Sequence, residues 1–186
     1  MASAGIRTVV LSFAATSVAF GVLEVGIPAF AEAVGAVELS GALFAALAGG
    51  SLFGGLAYGT RSWPGSLPQR YLWLLLAFAF GLALLPLARN AVTMFVLSMV
   101  SGVALAPGAI CAFRLIDELT PPGTATEAYT WTTTANVAGS ALGAVVAGVI
   151  VERLGVTPAL CLAGAAVFAG ASLAWLRRRS LVPVAA

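Results

Sequence analysis

The chain has 186 residues, of which 61% are hydrophobic and only 9% charged, with a formal charge of +2. In a soluble domain about a quarter of residues are charged, so this composition excludes that class and makes the lipid bilayer the expected surroundings. So small a charge gives no basis for a nucleic-acid partner, and the absence of histidine removes the commonest catalytic base and metal ligand.

Six apolar stretches follow one another, each near the ~20 residues a helix needs to cross about 30 Å of hydrocarbon. They run from Ile6 to Phe30, Ser40 to Tyr58, Tyr71 to Ala88, Ala91 to Phe113, Tyr129 to Val151 and Thr157 to Leu176. Barrel strands are excluded because the apolar residues are continuous instead of alternating, which leaves helices to satisfy the backbone in lipid. The first stretch follows Arg7 as a secretory signal would, but it is too long and holds Glu24 and Pro28, so it reads as a retained span. Cys111 and Cys161 both fall inside spans with no partner at metal-site spacing and read as packing residues; no metal and no cofactor are expected.

The chain has no lysine, and its nine basic residues are all arginines. With the N-terminus in the cytoplasm, Arg7, Arg61, Arg70, Arg114, Arg177, Arg178 and Arg179 all fall on the cytoplasmic side, and only Arg89 and Arg153 fall outside. That is the bias of the positive-inside rule, so both termini are expected to be cytoplasmic. The cluster Arg177 to Arg179 suits a topology signal or a contact with anionic lipid.

The second and fifth stretches carry related strings, GSLFGGLAYG from Gly50 and GSALGAVVAG from Gly139. The shift that superposes Gly50 on Gly139 and Gly54 on Gly143 also lays the first span on the fourth and the third on the sixth. The expected fold is therefore an all-α membrane protein of one six-helix bundle over 1–186, with one repeat at about 1–90 and another at about 91–180. Because three spans is an odd number, the second repeat enters the membrane from the opposite side, giving an inverted pair. Ala46, Gly50 and Gly54, and likewise Ala135, Gly139, Gly143 and Ala147, recur every four residues and make smooth faces for close helix packing.

The string GGLAYGTRSW, from Gly54, resembles the loop signature between helices eight and nine of the major facilitator superfamily, with Gly54, Leu56 and Ala57 in register. Tyr58 stands where the signature usually has aspartate, Gly59 where it often has arginine, and Arg61 is the first basic residue. The run PPGTATEAYTWTTTANVAGSALG, from Pro121 to Gly143, is similar to the eleventh helix of facilitator proteins common in actinobacteria, and FGVLEVGIPAF, from Phe20 to Phe30, resembles their seventh. The likeness covers nearly the whole chain and corresponds to the C-terminal six helices of a twelve-helix transporter. It implies a secondary transporter half in a bacterial cell membrane that exports a small organic molecule, with proton antiport as the coupling. It also implies a second six-helix half, supplied by a homodimer or by a separate N-terminal half. The alternative is a non-transporting membrane fragment or a partner subunit of a larger transporter.

Glu24 is the costliest residue to explain structurally, since it lies roughly 25 Å along a helix from Arg7 at 1.5 Å per residue. A carboxylate there can exchange a proton, bind a cationic group or line an outer aqueous opening. Gly26 and Pro28 can interrupt the helix beside a cavity. On the fifth span Glu127, Trp131 and Thr134 share one face, and Thr130, Thr133 and Asn136 extend a polar track suited to a substrate path or to capping and interhelical hydrogen bonds. Asp117 and Glu118, ahead of the helix-stopping pair Pro121 and Pro122, can pair with Arg61 or Arg70 as a cytoplasmic gate or stay solvated. Pro107 and Gly108 mark a kink in the fourth span. Asp117 is the only aspartate and no phosphate-cradling glycine loop exists, so an enzyme is not expected.

Overall fold

A computed structural model describes residues 4–121 and 123–181. Among them the regular structure is entirely helical, with seven α-helices: α1 (Ala4–Ala33), α2 (Ser40–Gly59), α3 (Leu67–Leu84), α4 (Ala91–Gly102), α5 (Leu105–Leu119), α6 (Ala125–Leu154) and α7 (Val156–Leu176). Joined with their short flanking turns, they make six spans long and apolar enough to cross a bilayer, α4 and α5 forming one broken span over Ala91–Leu119. This is the architecture of a multi-pass integral membrane protein.

Helix ends follow local chemistry. Asn90 starts α4 by accepting the Thr93 amide through its side chain at 2.9 Å, and Thr93 Oγ1 accepts the Asn90 amide at 3.2 Å. Gln69 likewise reaches back to the Ser66 amide at the start of α3. Pro68, Pro107 and Pro158 all occupy first turns, where a missing N–H costs little. Gly155 alone separates α6 from α7, and its φ of +88° is open to glycine without strain. α5 ends at Leu119, and Thr120 is extended ahead of Pro121 as a pre-proline residue should be; Pro122 lies outside the described residues.

The kink expected at Pro107 and Gly108 is a full break, displaced upstream to Val103 and Ala104. Proline removes the N–H that the carbonyl four residues earlier needs, and four residues before Pro107 is Val103. Pro28, by contrast, lies inside an unbroken α1, where it denies the same bond to the Glu24 carbonyl.

The most extensive packing joins α1 to α6, followed by α1 to α7; α3 packs on α7 and α2 on α4. Lipid offers no hydrophobic drive between helices, so the contacts depend on small residues. A Cβ added to Gly50 or Gly54 would overlap the carbonyl oxygen of Met99 or Val103. At Gly139 it would meet the Ala14 carbonyl at 2.8 Å, and at Gly143 it would overlap that of Val18. Each glycine string thus seats a helix on the other half of the chain: α2 on α4 and α5, and α6 on α1.

The two ends of the bundle differ. Thr8 Oγ1 lies 3.1 Å from Ser180 Oγ and Leu181 is buried, so the start of α1 and the turn after α7 share one end. By alternation of the spans, seven of the nine arginines lie toward that end. So do all four tryptophans and all three tyrosines; the tryptophans and Tyr129 are exposed, as interfacial aromatics are, whereas Tyr58 and Tyr71 are buried in the bundle. Arg178 stacks over Trp175 there, 5.2 Å from the ring centroid. Exposure is also uneven: 17% of the apolar window of α6 and 28% of that of the second span are buried, against 39–44% in the other four.

Candidate functional site

α1, α3, α5 and α6 border an open cavity of about 290 Å³. α1 supplies Phe13, Thr16, Phe20 and Glu24, which recur every three or four residues and therefore share a face. α6 contributes Asn136 and Ser140, one turn apart. The apolar wall comes from Leu74, Leu75 and Phe78 of α3 and from Leu105 of α5, where the broken fourth span borders the site. Irregular backbone at membrane depth is tolerated where it lines such a cavity.

Close backbone approach builds the polar corner. Gly21 lies one turn before Glu24, and a Cβ there would overlap the Ser140 carbonyl. Because that Cβ is missing, α6 comes near enough for Ser140 Oγ to donate to Glu24 Oε2 at 3.2 Å. Lower down, Ser12 and Tyr71 hydroxyls lie 2.7 Å apart, and Ser12 also donates to its own helix at Thr8 and Val9. Thr16 and Ser17 likewise spend their donors on the carbonyls of Ser12 and Phe13.

Toward the arginine-rich end an aromatic column adjoins the cavity. Phe13 packs on Phe113 with centroids 5.7 Å apart, Phe113 stacks on Tyr129 at 6.0 Å, and Tyr129 donates to Asp117 Oδ1 at 2.6 Å. This column ties α5 to α6 below the cavity.

The residues expected to form one substrate path separate into two places. Glu24 and Asn136 meet in the cavity. Glu127 and Trp131 line a different groove of about 440 Å³, with Arg7, Val10, Leu11 and Arg177. Thr134 is exposed and lines neither. Of the loop residues, Arg61 lies 6.0 Å from the Trp63 ring centroid, and Arg70 donates to Tyr58 Oη at 3.2 Å. Tyr58 Oη in turn lies 3.0 Å from Cys111 Sγ, so Tyr58 joins α2, α3 and α5 without a charge. Asp117 is held by Tyr129, and Glu118 is exposed. Neither acid is bonded to Arg61 or Arg70 in this arrangement. Gly50, Gly54, Gly139 and Gly143 lie at the close helix crossings, as their spacing implies.

Ser140, Tyr71, Phe13 and Phe20 were not among the candidate site residues. Their signal was present in helix periodicity for three of the four: counting back from Glu24 by four, eight and eleven residues reaches Phe20, Thr16 and Phe13, and counting forward from Asn136 by four reaches Ser140. Comparison of the chain with protein-family models and with curated proteins gives no match.

Proposed function

We propose that the chain is a six-helix half of a facilitator-type secondary transporter, built as two inverted three-helix repeats with both termini in the cytoplasm of a bacterial cell. Its cargo is a small organic molecule, moved outward in exchange for protons. The observation that carries this function is the open cavity in which Glu24, a carboxylate within an apolar span, meets Asn136 and Ser140 from another span. Carboxylates at membrane depth are costly, and facing a cavity is where transport proteins use them. The reciprocal seating of each glycine string on the opposite half supports the repeat, and the clustering of arginines and aromatic residues at one end supports the orientation.

A second six-helix half completes the site. α6 is the least buried span and carries Thr126, Thr130, Thr133, Thr134 and Asn136 at exposed positions, groups that gain from a protein neighbour more than from lipid. The same exposure favours a second reading, a non-transporting subunit whose face docks on a larger transporter. Crosslinking in native membranes separates these. A dimer of this chain or a complex with another six-helix chain that conducts flux supports transport, whereas a complex whose flux is indifferent to Glu24→Gln supports the subunit reading.

The direct test is uptake into proteoliposomes bearing a pH gradient. Wild type is expected to accumulate cargo against its gradient, and Glu24→Gln to lose the pH-driven component while remaining folded. Unchanged coupling in Glu24→Gln removes that residue from the mechanism. No flux and no ligand-dependent stabilisation across a wide solute panel overturns the transporter assignment.

A further inference from the structure

We infer that the cavity between α1 and α6 selects a protonated amine carrying an apolar, ring-sized body. The inference rests on the transporter reading only in taking this cavity as the cargo site.

The lining contains one charged side chain, Glu24, and no arginine. Arg7 and Arg177 border the other groove, and Arg70 is turned toward Tyr58. An anionic ligand would meet Glu24 with no compensating cation. Conversely, Glu24 stands exposed at the open side of the cavity with Ser140 as its hydrogen-bond donor, so an incoming positive charge meets an accessible carboxylate with no cation beside it.

Hydrogen-bonding capacity narrows the class further. Ser140 already donates to Glu24, Thr16 and Ser17 donate to their own helix, and the Tyr71 and Ser12 hydroxyls engage one another. What remains is chiefly acceptor capacity: the second oxygen of Glu24, the side-chain oxygen of Asn136 and the unused lone pairs of the hydroxyls. A sugar or an acid brings its own acceptors and needs donors, of which the Asn136 amide is the main one left. An ammonium group is a donor only, so it matches the corner. The half-buried rings of Phe13 and Phe20 supply surface for the apolar body and for cation–π contact, with the buried Tyr71 and Phe78 behind them. A quaternary ammonium carries the charge but no N–H, and so uses less of what the corner offers.

The test measures binding of one ligand series to the purified chain in nanodiscs by titration calorimetry. The probes are 2-phenylethylamine, its neutral analogue 2-phenylethanol, phenylacetate, and the N,N,N-trimethyl form of the amine. The primary amine is expected to bind about tenfold or more tightly than the alcohol, a difference typical of one charge-assisted hydrogen bond, with the trimethyl form between them and phenylacetate weakest. Glu24→Gln is expected to reduce the amine-to-alcohol ratio to about one, again from the loss of that bond. Equal or tighter binding of the alcohol or the carboxylate by wild type overturns the inference, as does no binding by any member. Retained amine preference in Glu24→Gln also overturns it. Should Glu24→Gln fail to insert, the wild-type series decides alone. Amine preference without flux in proteoliposomes upholds the amine site and overturns transport; flux of neutral or anionic solutes without amine preference does the reverse.

Discussion

Substituting alanine at Gly143 tests whether the backbone crossing of α6 on α1 holds the site together. The added Cβ would overlap the Val18 carbonyl oxygen, a backbone atom that cannot turn aside as a flexible side chain can. Relieving it requires moving one helix away from the other, and overpacking of this kind costs about 1–3 kcal/mol. Alanine returns up to ~1 kcal/mol through its better helix propensity. With the full gain the net loss is about 0–2 kcal/mol, or up to roughly 8 °C in Tm for a chain of this size. Gly148 lies on the same helix five residues on, and a methyl group added there meets nothing within 4 Å, so Gly148→Ala carries the propensity gain without the clash. Thermal melts of the two variants in one detergent isolate the crossing. Gly54→Ala and Gly59→Ala form the matching pair on α2, Gly54 against the Val103 carbonyl and Gly59 in open space. If Gly143→Ala melts with Gly148→Ala, close backbone approach is not what fixes α6 on α1.

Two further outcomes follow from the arginine-rich end. Tyr58→Phe removes the acceptor of the Arg70 bond and the contact with Cys111, and Arg70 Nε is already buried without a partner; a loss of about 1–3 kcal/mol is expected in thermal melts, and an unchanged Tm discounts this cluster as a brace between α2, α3 and α5. Single cysteines placed at Ser66 and Arg89, in a background where Cys111 and Cys161 are replaced, report orientation: a membrane-impermeant maleimide should label Arg89→Cys in intact cells and Ser66→Cys only in inverted vesicles, and the opposite pattern reverses the assigned topology.

The spans were legible because apolar run length is a direct physical consequence of bilayer thickness, and each run agrees with its helix to within a few residues at most ends. The break at Val103 was less so, since Pro107 marks the missing donor while the backbone parts where the orphaned acceptor lies. The division of the polar track on α6 required rotation as well as spacing. At about 100° per residue, Thr134 returns to the face of Glu127, whereas Asn136 falls on the opposite face. Asn136 therefore reaches the cavity with Glu24, and Glu127 with Trp131 turns to the groove beside Arg7 and Arg177. No such arithmetic within one helix finds Ser140 beside Glu24, because that contact depends on how near α6 approaches Gly21.

The two crossings also differ in the helices that receive the glycine strings. Gly50 and Gly54 are separated from Gly139 and Gly143 by 89 positions, but the carbonyls they face, Met99 and Val103 against Ala14 and Val18, are separated by 85. The difference of four residues is close to one helical turn, so the receiving helices keep the same face while their side chains fall out of register. Their backbones differ too. Gly54 rests on Val103, whose carbonyl Pro107 cannot bond and where the span is broken; Gly143 rests on Val18 in a helix that continues without interruption past Glu24. A ligand held between Glu24 and Asn136 consequently touches one continuous crossing directly, while the broken one borders it through Ala104, Leu105, Gly108 and Ala109. The carboxylate is thus carried by the continuous α1, and the helical hydrogen bonding is interrupted on the α4 and α5 side of the cavity.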